Sequence, residues 1–188
     1  MQTLLKTPRA KVSPWQAWGI LALLSLIWGT SYVLIKWGLV YFSAEQVGGI
    51  RLGVSALAFL PIIVREWRKV ERKQLPTLFI VGLLGTGIPS FLFPAAQEHV
   101  NSSLAGILNS MTPLFTLLLG LLFFGSTFSW AKTGGILLGL AGALFLIVCC
   151  DGMGVQSPGS YGVLILGACI CYAISSNLVG FCLQGLSA

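Results

Sequence analysis

The sequence predicts an all-α transmembrane protein with about six membrane-spanning helices. Three observations predict it. First, 56% of the 188 residues are hydrophobic and only 9% are charged, whereas a typical soluble domain is about 25% charged. A chain this poor in charge cannot coat a globule in water and needs lipid as its solvent. Second, residues 14–35, 74–97 and 99–131 lack any acidic, lysine or arginine side chain, and each stretch has room for a span of roughly 20 residues. Third, the basic residues gather in short clusters on alternate sides of these stretches, which is the charge pattern of membrane orientation.

The first span is expected from Trp15 to Ile35. Lys6, Arg9 and Lys11 precede it, as in a secretory signal peptide. Its apolar run exceeds the roughly 7 to 15 residues of a signal peptide's core, however, and Lys36-Trp37 closes it in place of a small-residue cleavage site. It is therefore a retained helix. The second span is expected from Gln46 to Val64. The third runs from Leu75 to Gln97 with Pro89 and Pro94 inside it, and the fourth from Ser103 to Phe124 with Pro113 near its middle. The fifth runs from Thr133 to Cys150 and the sixth from Tyr161 to Leu183. In lipid the backbone finds partners only within itself, so all six must be helices or helix pieces.

Six spans put Lys6, Arg9, Lys11, the Arg65–Lys73 cluster and Lys132 on one side. Together these hold nine of the eleven basic residues. Glu45, Glu98, His99 and Asp151 fall on the other. The positive-inside rule then places the N-terminus in the cytoplasm of a bacterial-type plasma membrane, with the C-terminus on the same side. The net charge of +6 sits beside apolar runs rather than on a polar surface, so the sequence carries no nucleic-acid signature. The loops are too short for a water-soluble domain. The five cysteines, Cys149, Cys150, Cys169, Cys171 and Cys182, show no zinc-type spacing and read as small apolar packing residues. No metal, cofactor or catalytic constellation is expected. The single histidine, His99, has no evident nucleophile partner, and no phosphate-binding loop of the ATP-driven type is present.

Several polar residues inside spans are candidates for a substrate pathway. Arg51 lies about 9 Å into the second span at 1.5 Å per residue, and a charge there either snorkels to the interface or faces a cavity that attracts a carboxylate. Lys36 closes the first span on the same side with the same two readings, and the pair would make a vestibule attractive to anionic or zwitterionic solutes. Trp28, Ser31 and Tyr32 lie within about one turn and serve either helix packing or a lined cavity. Asn109, Thr112 and Thr116 fall on one face of the fourth span, and Pro113 removes a backbone donor beside them. That stripe is either interhelical glue or part of a path. Gln97 is expected to close the outer end of the third span with Glu98. Gly135, Gly139 and Gly142 have the spacing of close helix packing.

The first span contains Trp28-Gly29-Thr30-Ser31 and the sixth contains Tyr172-Ala173-Ile174-Ser175, each an aromatic followed three positions later by serine. Five spans separate them, so a repeat of this kind would enter the membrane from the opposite face. WGTSYVLIKWGL from Trp28, RLGVSALAFLP from Arg51 and SSLAGILNSMTPLFTLLLGLLFFGSTFSWAKTGGILLGLAGALFLI from Ser102 resemble the EamA family of the drug/metabolite transporter superfamily. Two positions depart from its usual pattern: Gly125-Ser126 stands where Gly-Glu is common, and Tyr172 where Trp is common. The resemblance implies a ten-helix inverted-repeat secondary transporter, a permease or exporter of small metabolites such as amino acids and their relatives. Residues 1–13 would be a cytoplasmic tail, 14–150 the first five-span repeat, and 151–188 the first span of a truncated second repeat. The partners implied are the lipid bilayer, a small-molecule substrate and, where two chains supply the helices, a homodimer. A non-transporting membrane fragment or interaction protein is the alternative, and an intramembrane enzyme a weaker one.

Overall fold

A computed structural model describes residues 13–67, 70–126, 129–149 and 160–182. The expectations placed on Lys6, Arg9, Lys11, Arg68, Lys69, Cys150, Asp151 and Leu183 lie outside them, as does the side chain of Cys149. The described chain is helical in six segments. These are α1 (Pro14–Gly38), α2 (Ala44–Glu66), α3 (Arg72–Gln97), α4 (Ser102–Phe123), α5 (Trp130–Cys149) and α6 (Gly162–Cys182). Among the described residues, α1, α2, α3, α4 and α6 are long and apolar enough to cross a membrane. The remaining helix, α5, has 20 residues, about 30 Å at 1.5 Å per residue and so comparable with the hydrocarbon core.

Local chemistry fixes the helix starts. Ser43 Oγ accepts from the Gln46 amide at 3.3 Å, and Gln46 Oε1 accepts from the Ser43 amide at 3.0 Å. This reciprocal box opens α2 by satisfying amides that have no intrahelical partner. Asn101 Oδ1 accepts from the Leu104 amide at 2.8 Å and opens α4. At the far end of α4, Gly125 takes a φ of 59°, a left-handed conformation that costs glycine little. It lets the Ser126 amide turn back onto the Gly120 carbonyl at 3.0 Å.

Two spans are interrupted, each next to a proline. In α3 the helix Leu75–Gly82 passes into a π-helical turn, Leu83–Gly87, before Ile88–Gln97 resumes. Pro89 has no N–H for the carbonyl four residues back, and its ring crowds that carbonyl. Widening the ladder by one residue relieves both, and the Ile88 amide accordingly reaches the Leu83 carbonyl. In α4 the helix Ser102–Asn109 turns at Ser110 and Met111 before Thr112–Phe123 continues, with Pro113 as the second residue of the new segment.

The chain forms two compact units, one through Ser31 and one from Tyr32 onward. The first contains the N-terminal part of α1. There Ser25 Oγ donates to the Leu21 carbonyl at 2.9 Å and Thr30 Oγ1 to the Leu26 carbonyl at 2.7 Å, so hydroxyls on an apolar helix are satisfied by their own backbone. In the second unit α6 is the hub. It packs against both pieces of α4, both pieces of α3 and the π-helical turn. Ile165, Ala168 and Cys169 of α6 are fully buried with Phe93, Ala96, Leu104 and Ala105 around them. The apolar residues Leu57, Phe79, Leu122, Leu138 and Phe181 are all at least 65% exposed. An apolar exterior of this kind is stable in hydrocarbon, where side chains facing out lose nothing by their exposure.

Candidate functional site

The second unit contains a buried polar knot where α1, α3 and α4 meet. Gln97, at the end of α3, is completely buried. Its Nε2 donates to the Tyr32 carbonyl at 2.9 Å and to Ser102 Oγ at 3.2 Å, and Ser102 Oγ donates to the same Tyr32 carbonyl at 3.0 Å. Gln97 Oε1 is buried with no hydrogen-bond partner. Lys36 Nζ, one turn beyond Tyr32 on α1, donates to the Gln97 carbonyl at 2.5 Å and the Val100 carbonyl at 3.2 Å. The Gln97 carbonyl ends α3 and the Val100 carbonyl lies in the turn after it, and a cation there satisfies both and opposes the negative end of the helix dipole. Glu98 is the C-cap residue of this helix, and Lys36 adds a cation at its end.

Arg51 has a different environment. Its Nη1 is buried, and no hydrogen-bond partner reaches it. One turn before it, Gly48 lets α2 come against α3 so closely that an added Cβ would lie 2.6 Å from the Phe91 ring and 2.9 Å from the Ser90 carbonyl. Pro94 cannot donate to that carbonyl four residues back, and the bare Gly48 backbone faces it. Tyr32 and Tyr172 both lie within electrostatic reach of the Arg51 guanidinium. The two tyrosines are joined through Phe93, with ring centroids 5.6 Å from Tyr32 and 6.1 Å from Tyr172. The structure thus brings together a phenylalanine from α3 and tyrosines from α1 and α6, with the Arg51 charge of α2 acting on both tyrosines.

A polar ladder runs along the α4–α6 contact. Thr112 Oγ1 donates to Asn109 Oδ1 at 3.2 Å, and Thr116 Oγ1 donates to the Thr112 carbonyl at 2.8 Å. Asn177 Nδ2 donates to the Thr116 carbonyl at 3.0 Å and to its own helix at Ala173 at 2.9 Å. At the interruption before Pro113, the Cys169 thiol donates to the Leu108 carbonyl at 3.5 Å and lies 3.8 Å from Asn109 Oδ1. On the α3 side Ser175 Oγ donates to the Val81 carbonyl at 3.0 Å, just before the π-helical turn. A Cβ at Gly85 would come within 2.6 Å of that hydroxyl. Both helix interruptions therefore face polar groups of α6, as irregular backbone at membrane depth requires.

Trp28 and Ser31 belong to the first unit, and the Trp28 side chain is 63% exposed. Added Cβ atoms at Gly135, Gly139 and Gly142 would meet nothing within 4 Å, so this face of α5 is open. Phe93, Cys169 and Asn177 are members of the cluster that sequence reading passed over. Asn177 had a signal, since an amide inside a 21-residue apolar helix needs a partner there. Phe93 and Cys169 had none, being ordinary apolar residues for a span. Among the described residues no three of His, Cys, Asp and Glu converge as metal ligands would.

Apolar walls, interrupted spans and a buried polar cluster define a multi-pass helical membrane protein. Residues 16–148 match the EamA-like transporter family, and the chain belongs to that family. It is 30% identical over 165 residues to the uncharacterized inner membrane transporter YedA of Escherichia coli K12, covering 84% of this chain and 51% of that protein. An uncharacterized transporter of Archaeoglobus fulgidus is 24% identical over 129 residues, 69% of this chain and 46% of the relative. A probable terminal-alkyne amino-acid exporter of Streptantibioticus cattleyicolor is 26% identical over 132 residues, 68% and 43% respectively. The chain spans about half the length of these curated relatives. No solved structure matches it.

Proposed function

We propose that this chain acts in a secondary transporter that moves small metabolites, such as amino acids and related compounds, across a bacterial-type plasma membrane by alternating access. The observation that carries the reading is the placement of the two interruptions. The π-helical turn of α3 and the break in α4 both lie against α6, the helix that carries Tyr172. Discontinuous helices around a midplane site are a recurring device of secondary transporters. Several relatives carry transporter or exporter names, two of them for amino-acid compounds, which supports the same class for this chain. In this reading α3 and α4 act as gates, gradients of ions or solutes drive the cycle, and no enzyme chemistry is involved. The N-terminus lies in the cytoplasm, because the Arg65–Lys73 cluster and Lys132 follow an even number of crossings from it.

The test is flux of a radiolabelled panel of amino acids and organic acids into proteoliposomes containing the purified chain. Saturable uptake of at least one solute, abolished by an excess of the same unlabelled solute, is expected. Uptake no faster than in empty liposomes for the whole panel would overturn the reading.

A further inference from the structure

We infer that Arg51 is a carboxylate-binding group, and that the ligand of this site is a small acid whose body rests against Tyr32, Phe93 and Tyr172. The inference begins with an imbalance of charge. Arg51 is half-buried, and its Nη1 is buried with no acceptor among the described residues; a buried donor of a charged group left without an acceptor is unfavourable. The protein's acids are engaged or placed elsewhere. Glu45 accepts from Ser43 Oγ at the start of α2, Glu66 lies 3.8 Å from Arg65, and Glu71 pairs with Lys73 at 2.7 Å. Glu98 lies in the turn after α3. Among the described residues, then, no carboxylate pairs with Arg51.

Lys36 gives the internal comparison. It is the other cation at this end of the bundle, and its Nζ is already held by two carbonyls. Arg51, by contrast, has Nη1 donors that no acceptor among the described residues takes up. A guanidinium presents those donors as a planar fork that matches a carboxylate bidentately. Tyr32 and Tyr172 stand in electrostatic reach, with Phe93 between them. One charged anchor beside an apolar and aromatic wall is the usual composition of a small-molecule site, and it selects an acid with an apolar or aromatic body over a polyanion.

This inference rests on the transporter reading for its physiological use, but its test needs no flux. The purified chain in detergent is titrated with matched acid and amide pairs, benzoate against benzamide and phenylalanine against phenylalaninamide, and thermal unfolding is followed. The acids are expected to raise the midpoint in a saturable way, while their amides do so at least tenfold more weakly. Arg51→Gln should weaken the acid effect at least tenfold and Arg51→Lys less, whereas Lys36→Gln should lower the starting midpoint and leave the acid preference intact. Equal effects of acids and amides on the unaltered chain, no effect of any acid, or unchanged acid binding by Arg51→Gln would overturn it. The acid–amide comparison on the unaltered chain decides the matter even if the arginine variants do not fold. Flux without acid preference would remove this inference and leave transport standing, and acid binding without flux would do the reverse.

Discussion

The contrast between Lys36 and Arg51 shows what a single residue's neighbours decide. Both cations offer the same choice in the sequence, interface or cavity, because neither position records which carbonyls fold over it. The fold supplies Lys36 with the end of α3 and leaves Arg51 Nη1 without an acceptor among the described residues. Lys36→Met should accordingly lower the thermal midpoint, at a cost of about 1 kcal/mol for a lost cap and its dipole interaction, and thermal unfolding in detergent measures it. Gly48 and Gly49 are a second pair that the sequence does not separate. A Cβ at Gly48 meets Phe91 and the Ser90 backbone, whereas one at Gly49 meets nothing within 4 Å. Gly48→Ala is expected to destabilise by about 1–3 kcal/mol, the range for overpacking, and Gly49→Ala, where the added methyl has open space, to raise the midpoint slightly because alanine loses less backbone freedom in a helix. Equal effects at the two positions would refute the close approach of α2 to α3.

At the scale of elements, hydropathy and capping residues carry most of the information. The expected span ends that fall among the described residues lie within three residues of the observed ones, because polar or basic residues that cannot extend into lipid bound the spans. The prolines mark which spans break. They do not specify how. Pro89 is compatible with a kink or with a widened turn, and the π-helical turn occurs where α6 supplies Ser175 to the Val81 carbonyl and packs close to Gly85. Gly85→Ala should therefore destabilise the bundle through its 2.6 Å approach to Ser175 Oγ. Adding Ser175→Ala removes that oxygen, so the double variant should recover stability relative to Gly85→Ala alone. Strict additivity of the two changes in a double-mutant cycle would exclude the contact. Asn177→Leu should cost about 0.6 to 1.7 kcal/mol, the average and the maximum for interhelical hydrogen bonds in a membrane. The polar face of Asn109, Thr112 and Thr116 was legible from its spacing. Its partner on α6 was not, because pairing between distant helices leaves no local periodicity.

For the whole molecule, lipid around the helices accounts for both the composition and the surface. Many apolar side chains are exposed, and most basic residues cluster before the first span and in alternate connections along the sequence. The fold class and span count follow from that segregation directly. The cluster of Arg51, Tyr32, Phe93 and Tyr172 does not, since its members come from four helices whose arrangement depends on packing against α6. The central claim is that successive loops alternate across a bilayer, and single-cysteine labelling in intact cells tests it most directly. With the native cysteines replaced, one cysteine is placed at Phe42, Val70 or Glu98 and exposed to a membrane-impermeant maleimide. Phe42→Cys and Glu98→Cys should react in intact cells, and Val70→Cys only after the membrane is opened. Labelling of Val70→Cys from outside together with Phe42→Cys would contradict it.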